Sequence, residues 1–264
     1  MVKDQKMEEI LLRSDQNEVA ILTLNSPKNL NALSDAMLDA LKLNFEEIQQ
    51  SKEIKAVIIK AAGRAFCSGH DLKEMQEKRN LKNDGGKAYF EELLSKCTHV
   101  MKLIRELPQP VIAEVHGVAA AAGCQLVATC DIAVASEEAS FGVNGVDIGL
   151  FCSTPMVALS RNISRKKAFE MLTTGDFLDP FQAEKLGLVN KVANSKELSK
   201  TSLEIANKIS SKLSLAVKVG KKAFYKQADM EIDDAYSYAS SVIVENLLYK
   251  ETNQGMNDFL NKKN

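Results

Sequence analysis

The chain has 264 residues, of which 45% are hydrophobic, enough to fill one large core and too many for a small scaffold held by disulfides or metal. Its 34 basic and 35 acidic residues leave a formal net charge of −1, so no global field favours nucleic acid or an anionic membrane surface. No run of about 18 apolar residues occurs, and the first residues lack both an apolar signal core and an arginine-rich transit pattern, so a cytoplasmic protein without membrane insertion is expected.

In chain order, residues 18–24 (EVAILTL) form the first short β-branched run and read as a buried strand. Ser34 is the predicted N-cap of a helix over DAMLDALKLNFEEIQQ. A second strand is expected at 55–61, and the charged stretch 77–87, with Gly85 and Gly86, reads as a mobile loop. A long helix over 87–107 and a strand over 110–115 follow. The segment AAAAGCQLVATCDIAVAS (119–136) is expected to open as a helix and to close in a strand at 131–136. After about residue 155 nearly every window has helical period: 164–174, 179–186 behind Asp179 and Pro180, 195–210, 214–226 and 231–250. Strands alternating with helices predict an α/β core with parallel pairing and a helical C-terminal layer. The nine lysines between 191 and 226 are read as a solvated helix face, with phosphate contact the alternative.

The five cysteines, Cys67, Cys97, Cys124, Cys130 and Cys152, are odd in number and mostly lie in apolar runs, which suits reduced thiols. None forms a C-x-x-C pair and the three histidines show no metal-site spacing, so no metal is expected. The chemistry is expected in two loops that leave buried strands and open into helices, 61–72 (AAGRAFCSGHDL) and 116–126 (HGVAAAAGCQL). Small residues allow a ligand close to the backbone, and unpaired N–H groups in a first helical turn favour developing negative charge. Two such ends facing each other would make an oxyanion hole; tight packing alone is the alternative.

The motifs LNSPKNLNAL (24–33), AFCSGHDLKEM (65–75), PVIAEVHGVAAAAGCQLVATCDIAVAS (110–136), FGVNGVDIGL (141–150) and MLTTGDFLDPFQAEKLGLVNKV (171–192), with the tail GMNDFL, together resemble the enoyl-CoA hydratase/isomerase, or crotonase, superfamily. FCSGHDL and GLFCSTP are most similar to its enoyl-CoA hydratase domain-containing protein 3 branch. The resemblance implies an α/β spiral of β-β-α units over residues 1–195, and a helical C-terminal region over 196–264 that builds homotrimers, often paired into hexamers. It implies an acyl-CoA ligand, with coenzyme A as part of the substrate and no covalently bound cofactor. The thioester oxygen would be held by the backbone N–H groups of His70 and Ala122. Coenzyme A contacts would fall on Lys28, Asn29, Leu30, Ser68, Gly69, His70 and Asp71.

One departure bears on mechanism. Family hydratases use two glutamates as acid and base, and the matching positions are Gln125 and Gly145. A carboxamide does not exchange a proton near neutral pH, and each lost general acid–base group is worth roughly 10²- to 10⁴-fold. Asp147 is the replacement considered first: if GVD (145–147) is extended, its side chain shares the Gly145 face, about 7 Å along the strand. A structural role bonded to a loop N–H or basic side chain is the alternative. The His70 side chain is the second candidate, set against a solvent-exposed loop histidine. Cys152 or Ser153 as nucleophile lacks a nearby base in sequence. Glu114, on a buried strand, is expected to need a salt-bridge or oligomer partner, and His116 and His99 read as structural. Cys124 is expected to pack as a small hydrophobe. Two readings compete: an acyl-CoA enzyme that stabilises a thioester enolate, and a non-catalytic acyl-CoA-binding or scaffold protein.

Overall fold

The computed structural model describes residues 9–80 and 83–261. The reading of the first eight residues, and residues 81 and 82 of the expected mobile loop, lie outside the described residues. The described chain begins with β1 (Leu11–Gln16), β2 (Val19–Leu24), α1 (Asp35–Gln50), β3 (Ala56–Ala61), β4 (Ala65–Cys67), α2 (Leu72–Arg79) and α3 (Lys87–Glu106). It continues with β5 (Val111–Val115), β6 (Val118–Ala120), α4 (Ala122–Thr129), β7 (Ile132–Ser136) and β8 (Ser140–Gly142). After that come α5 (Pro155–Asn162), α6 (Arg165–Thr174), α7 (Pro180–Leu186), β9 (Lys191–Ala193), α8 (Leu198–Ser210), α9 (Ser214–Gln227), α10 (Ile232–Leu247) and α11 (Lys250–Asn261). No described helix is long and apolar enough to cross a membrane.

The strands form a larger sheet in the order β1-β2-β3-β5-β7-β9 and a smaller one in the order β4-β6-β8. Among the described strands β1 and β2 pair antiparallel and every other ladder is parallel, with an isolated antiparallel bridge between Phe141 and Leu178. The pairs β3/β4, β5/β6 and β7/β8 each place one strand in each sheet, which is the expected α/β spiral of β-β-α turns.

The parallel strands of the larger sheet are buried on both faces, which explains their continuous Val/Ile/Ala composition. On one face Leu22, Leu24, Val57, Ile59 and Val111 pack with Leu38, Leu41 and Phe45 of α1 and Val100 and Ile104 of α3. On the other, Val19, Ile58, Ile112 and Val134 meet Leu198 and Ala206 of α8. The first C-terminal helix therefore belongs to the core. Ser34 caps α1 as expected, its side chain accepting from Met37 N–H at 3.3 Å.

The alanine-rich segment departs from expectation. Ala119 and Ala120 lie in β6, Ala121 adopts φ 48°, and the helix starts only at Ala122. The parallel register of β6 with β4 and β8 holds those alanines extended despite their helical propensity.

Candidate active site

Three segments converge at the upper ends of β2, β4 and β6. The β2–α1 connection passes through a 3₁₀ turn, Pro27–Asn29, then two consecutive left-handed residues, Leu30 (φ 52°) and Asn31 (φ 54°). Asn31 is fully buried and pins this shape. Its Oδ1 accepts from Ser26 N–H at 2.8 Å, and its Nδ2 donates to the carbonyls of Ala62 at 2.7 Å and Ala65 at 2.8 Å. Ser68 N–H then donates to the Leu30 carbonyl at 3.1 Å, and Leu33 N–H to the Gly69 carbonyl at 2.7 Å. Lys28, Asn29 and Leu30 are thereby held beside Ser68, Gly69 and His70. Sequence reasoning missed Asn31; its signal is an asparagine in a turn, a residue type that tolerates the left-handed region.

The two glycine-bearing loops touch. A Cβ built on Gly69, at φ +96°, would lie 3.0 Å from Ala121 Cβ and 3.4 Å from the Ala122 nitrogen. One built on Gly123 would lie 2.1 Å from the Cys67 carbonyl oxygen. Only glycine lets α4 descend onto β4 this far. Ala121, at φ 48° and ψ −116°, is a strained turn held from outside, its N–H donating to the Gly142 carbonyl at 2.8 Å.

The N–H of Ala122 opens α4 and so has no intrahelical acceptor. The parallel bridge between Leu33 and His70 runs through the Gly69 carbonyl, which leaves the His70 N–H on the opposite side of its segment. Among the described residues neither amide has an acceptor. Two free donors on touching loops, one at a helix N-terminus, suit an oxygen that gains negative charge.

The side chains around them are mostly neutral. His70 is not a solvent-exposed loop residue as the alternative reading had it: its Nδ1 donates to the Leu33 carbonyl at 3.3 Å, and its Nε2 is buried with no partner among the described residues. Burial lowers its pKa, while the Leu33 carbonyl and the nearby Asp35 carboxylate oppose that shift. Gln125, on the same face of α4 as Ala122, is 6% exposed, and its Oε1 is buried with no partner among the described residues. Asp71 caps α2, its Oδ1 accepting from the N–H groups of Lys73 at 3.0 Å and Glu74 at 3.1 Å.

Gly145 lies in a 3₁₀ turn, Asn144–Ile148, so the extended geometry assumed for residues 145–147 does not hold. With three residues per turn, Asp147 stacks over Asn144 instead of Gly145. Asn144 Nδ2 donates to its Oδ2 at 3.4 Å, and a Cβ on Gly175 would lie 2.8 Å from its Oδ1. Asp147 is exposed. A Cβ at Gly145 would meet the Leu150 carbonyl oxygen at 2.2 Å and Cys152 Sγ at 2.9 Å, so that direction is already filled.

All five cysteines are free and buried. Burial pushes the thiols of Cys67 and Cys124 up to about 12, and Cys152 up as well. Ser153 Oγ donates to the Phe151 carbonyl at 3.4 Å. His116 Nε2 donates to the Gly63 carbonyl at 2.8 Å, a structural use; His99 stands 3.9 Å from Glu46 on the helix surface. Among the described residues Glu114 has no salt bridge: its carboxylate accepts from the hydroxyls of Ser199, at 2.6 Å, and Ser202. The reading of the lysine run as a solvated face fails at Lys221, which is buried against Asp131 at 2.6 Å.

Comparison with known proteins shows the family. The family model described as enoyl-CoA hydratase/isomerase matches residues 14–264. The chain is 44% identical over 248 residues to the Rattus norvegicus protein named enoyl-CoA hydratase domain-containing protein 3, mitochondrial, covering 94% of this chain and 81% of that one. A solved enoyl-CoA hydratase structure from Mycobacterium smegmatis superposes with a TM-score of 0.92 at 46% identity, covering 97% of each chain. The structure of human enoyl Coenzyme A hydratase domain-containing protein 3 gives 0.91 at 43% identity, covering 96% of this chain and 98% of that one. The names overturn the cytoplasmic expectation, because the rat, mouse and human relatives are all named mitochondrial. That expectation rested on the composition of the first residues alone, which is not itself an address.

Proposed function

Since the chain belongs to the enoyl-CoA hydratase/isomerase family, we propose that it is an acyl-CoA enzyme that stabilises a thioester enolate with the backbone N–H groups of His70 and Ala122. The observation that carries this reading is the closeness of their loops, where a Cβ at Gly69 would lie 3.4 Å from the Ala122 nitrogen and neither amide has an acceptor among the described residues. Backbone donors survive changes of side chain, so a histidine at position 70 is compatible with the role. Lys28, Asn29, Leu30, Ser68, Gly69 and Asp71 line the expected path of coenzyme A. The standard hydration mechanism is not carried over, because Gln125 and Gly145 supply no acid or base. Asp147, the exposed carboxylate of the turn that follows β8, is the proposed acid–base group.

Non-catalytic acyl-CoA binding is the second reading, favoured by the filled space at Gly145. Residues 196–264 are proposed to build a trimer or hexamer. Exposed Ile232, Tyr236, Ile243 and Leu248 on and after α10 supply apolar surface for it. The relatives' names support a mitochondrial setting.

Turnover of crotonyl-CoA, followed by loss of conjugated absorbance, tests the reading. We expect a rate at least about 10²-fold below that of a hydratase with both glutamates, and a further loss in Asp147→Asn. Calorimetric binding without any turnover would favour the binding protein. An unchanged rate in Asp147→Asn would remove that residue from the mechanism.

A further inference from the structure

We infer that the slot between α8 and α9 is a binding site for a small amphipathic anion, an aliphatic carboxylate that lays its chain in the slot and pairs its head group with Lys208 and Lys212. The inference does not rest on the acyl-CoA reading. The slot lies at Pro110 and Asp131, where β5 and β7 begin, whereas the candidate active site lies beyond the end of β2, so the parallel strands of the larger sheet set the two at opposite ends.

On α8, Ile205, Lys208 and Ile209 stand three and four residues apart and share one face. On α9, Val217, Gly220, Lys221 and Phe224 follow the same spacing. The two stripes and Ile132 line a cavity of about 470 Å³, a size usual for small-molecule sites. Of the α9 stripe only Lys221 is buried, and Phe224 is 63% exposed. The stripe lines the slot without filling it.

Gly220 is the notch in that stripe. Glycine weakens a helix interior, and its usual uses are a positive φ or a close approach of another group. Neither applies here: Gly220 has no positive φ, and a Cβ built on it would meet nothing within 4 Å. What this glycine supplies is open space in the middle of an apolar wall.

The charge around the slot is one-sided. Lys208, Lys212 and Lys221 line it against a single carboxylate, Asp131. Asp131 and Lys221 already satisfy each other at 2.6 Å. Lys208 and Lys212 are exposed and have no acidic partner among the described residues. A lysine lays its stem along apolar surface and keeps its ammonium in water, so the slot offers hydrocarbon below and two uncompensated cations at the rim. An apolar chain ending in an anion complements both.

The test is calorimetric titration of the full chain with octanoate, beside 1-octanol, which has the chain without the charge, and acetate, which has the charge without the chain. We expect octanoate to bind at least about 10-fold more tightly than either. Gly220→Leu, which fills the slot, should weaken octanoate by at least about 10-fold without lowering the urea midpoint, since leucine favours a helix over glycine. Lys208→Gln/Lys212→Gln should weaken octanoate by about 3- to 10-fold and leave octanol unaffected. Octanoate bound at parent affinity in either variant would overturn the inference, as would equal affinity for octanoate and octanol, or no octanoate binding by the parent. Dissociation of the parent's assembly in Gly220→Leu, read by sedimentation velocity, would also overturn it and assign the slot to a second copy of the chain.

Discussion

Gly123→Ala is expected to lower turnover of any acyl-CoA substrate by about 10²-fold and to destabilise the fold by about 3 kcal/mol. The added Cβ would lie 2.1 Å from the Cys67 carbonyl oxygen, 2.8 Å from its carbonyl carbon and 2.9 Å from its Cβ. Two of those atoms are backbone, fixed in β4, so no rotamer change relieves the clash. Helix α4 has to retreat from β4 by about 1 Å, a shift of the size that costs ~10²-fold when it misplaces a catalytic group. The Ala122 amide moves with the helix, while the His70 amide stays with the β4 loop. Urea denaturation and the rate of crotonyl-CoA turnover measure the two effects separately. A variant with parent stability and parent rate would show that the loops are not held by this contact.

The second large effect is expected at the base of the C-terminal region. Asp131→Ala should destabilise the protein by about 3–5 kcal/mol, because it strands a buried cation. Lys221 Nζ donates to Asp131 Oδ2 at 2.6 Å and to the carbonyls of Ile104 at 2.8 Å and Gln109 at 3.0 Å. The same carboxylate accepts from Val111 N–H at 2.6 Å and from the Tyr225 hydroxyl at 2.7 Å. One aspartate thus ties α9 to the entry of β5 and to the end of α3. Burial already lowers the Lys221 pKa against the pull of Asp131, so removing the carboxylate leaves the ammonium without its main support. The double variant Asp131→Ala/Lys221→Met should be less destabilised than Asp131→Ala alone, since no charge is then buried unpaired. Urea midpoints of the two variants check this, and a double variant less stable than the single one would contradict it.

Legibility in the sequence followed the strength of the local signal. The strands at 19–24, 56–61, 111–115 and 132–136 are mostly apolar runs, and their reading from sequence agrees within a residue. β4, β6 and β8 are three residues each and show no alternation, so nothing local distinguished them from loop. They exist because parallel partners in a second sheet hold them. The edge strand β1, with polar RSDQ, was likewise silent.

At the site, small residues at strand ends pointed to the two loops, and the resemblance named their amides. What stayed hidden was relational. Asn31 acts through carbonyls 31 and 34 residues away, and the turn at Gly145 changes which face Asp147 occupies. The buried Nε2 of His70 depends on a carbonyl at Leu33. The Lys221–Asp131 pair joins residues 90 apart, so composition could offer only a lysine-rich stretch.

The central claim is that the amides of His70 and Ala122 together hold a thioester oxygen. Infrared difference spectroscopy of butyryl-CoA labelled with ¹³C at its carbonyl, bound to the protein, tests it most directly. The account predicts a carbonyl stretch at lower frequency than in free ligand, because two N–H donors polarise the bond, and reversal of much of that shift in Gly123→Ala. A bound thioester whose carbonyl stretch matches that in water would contradict it.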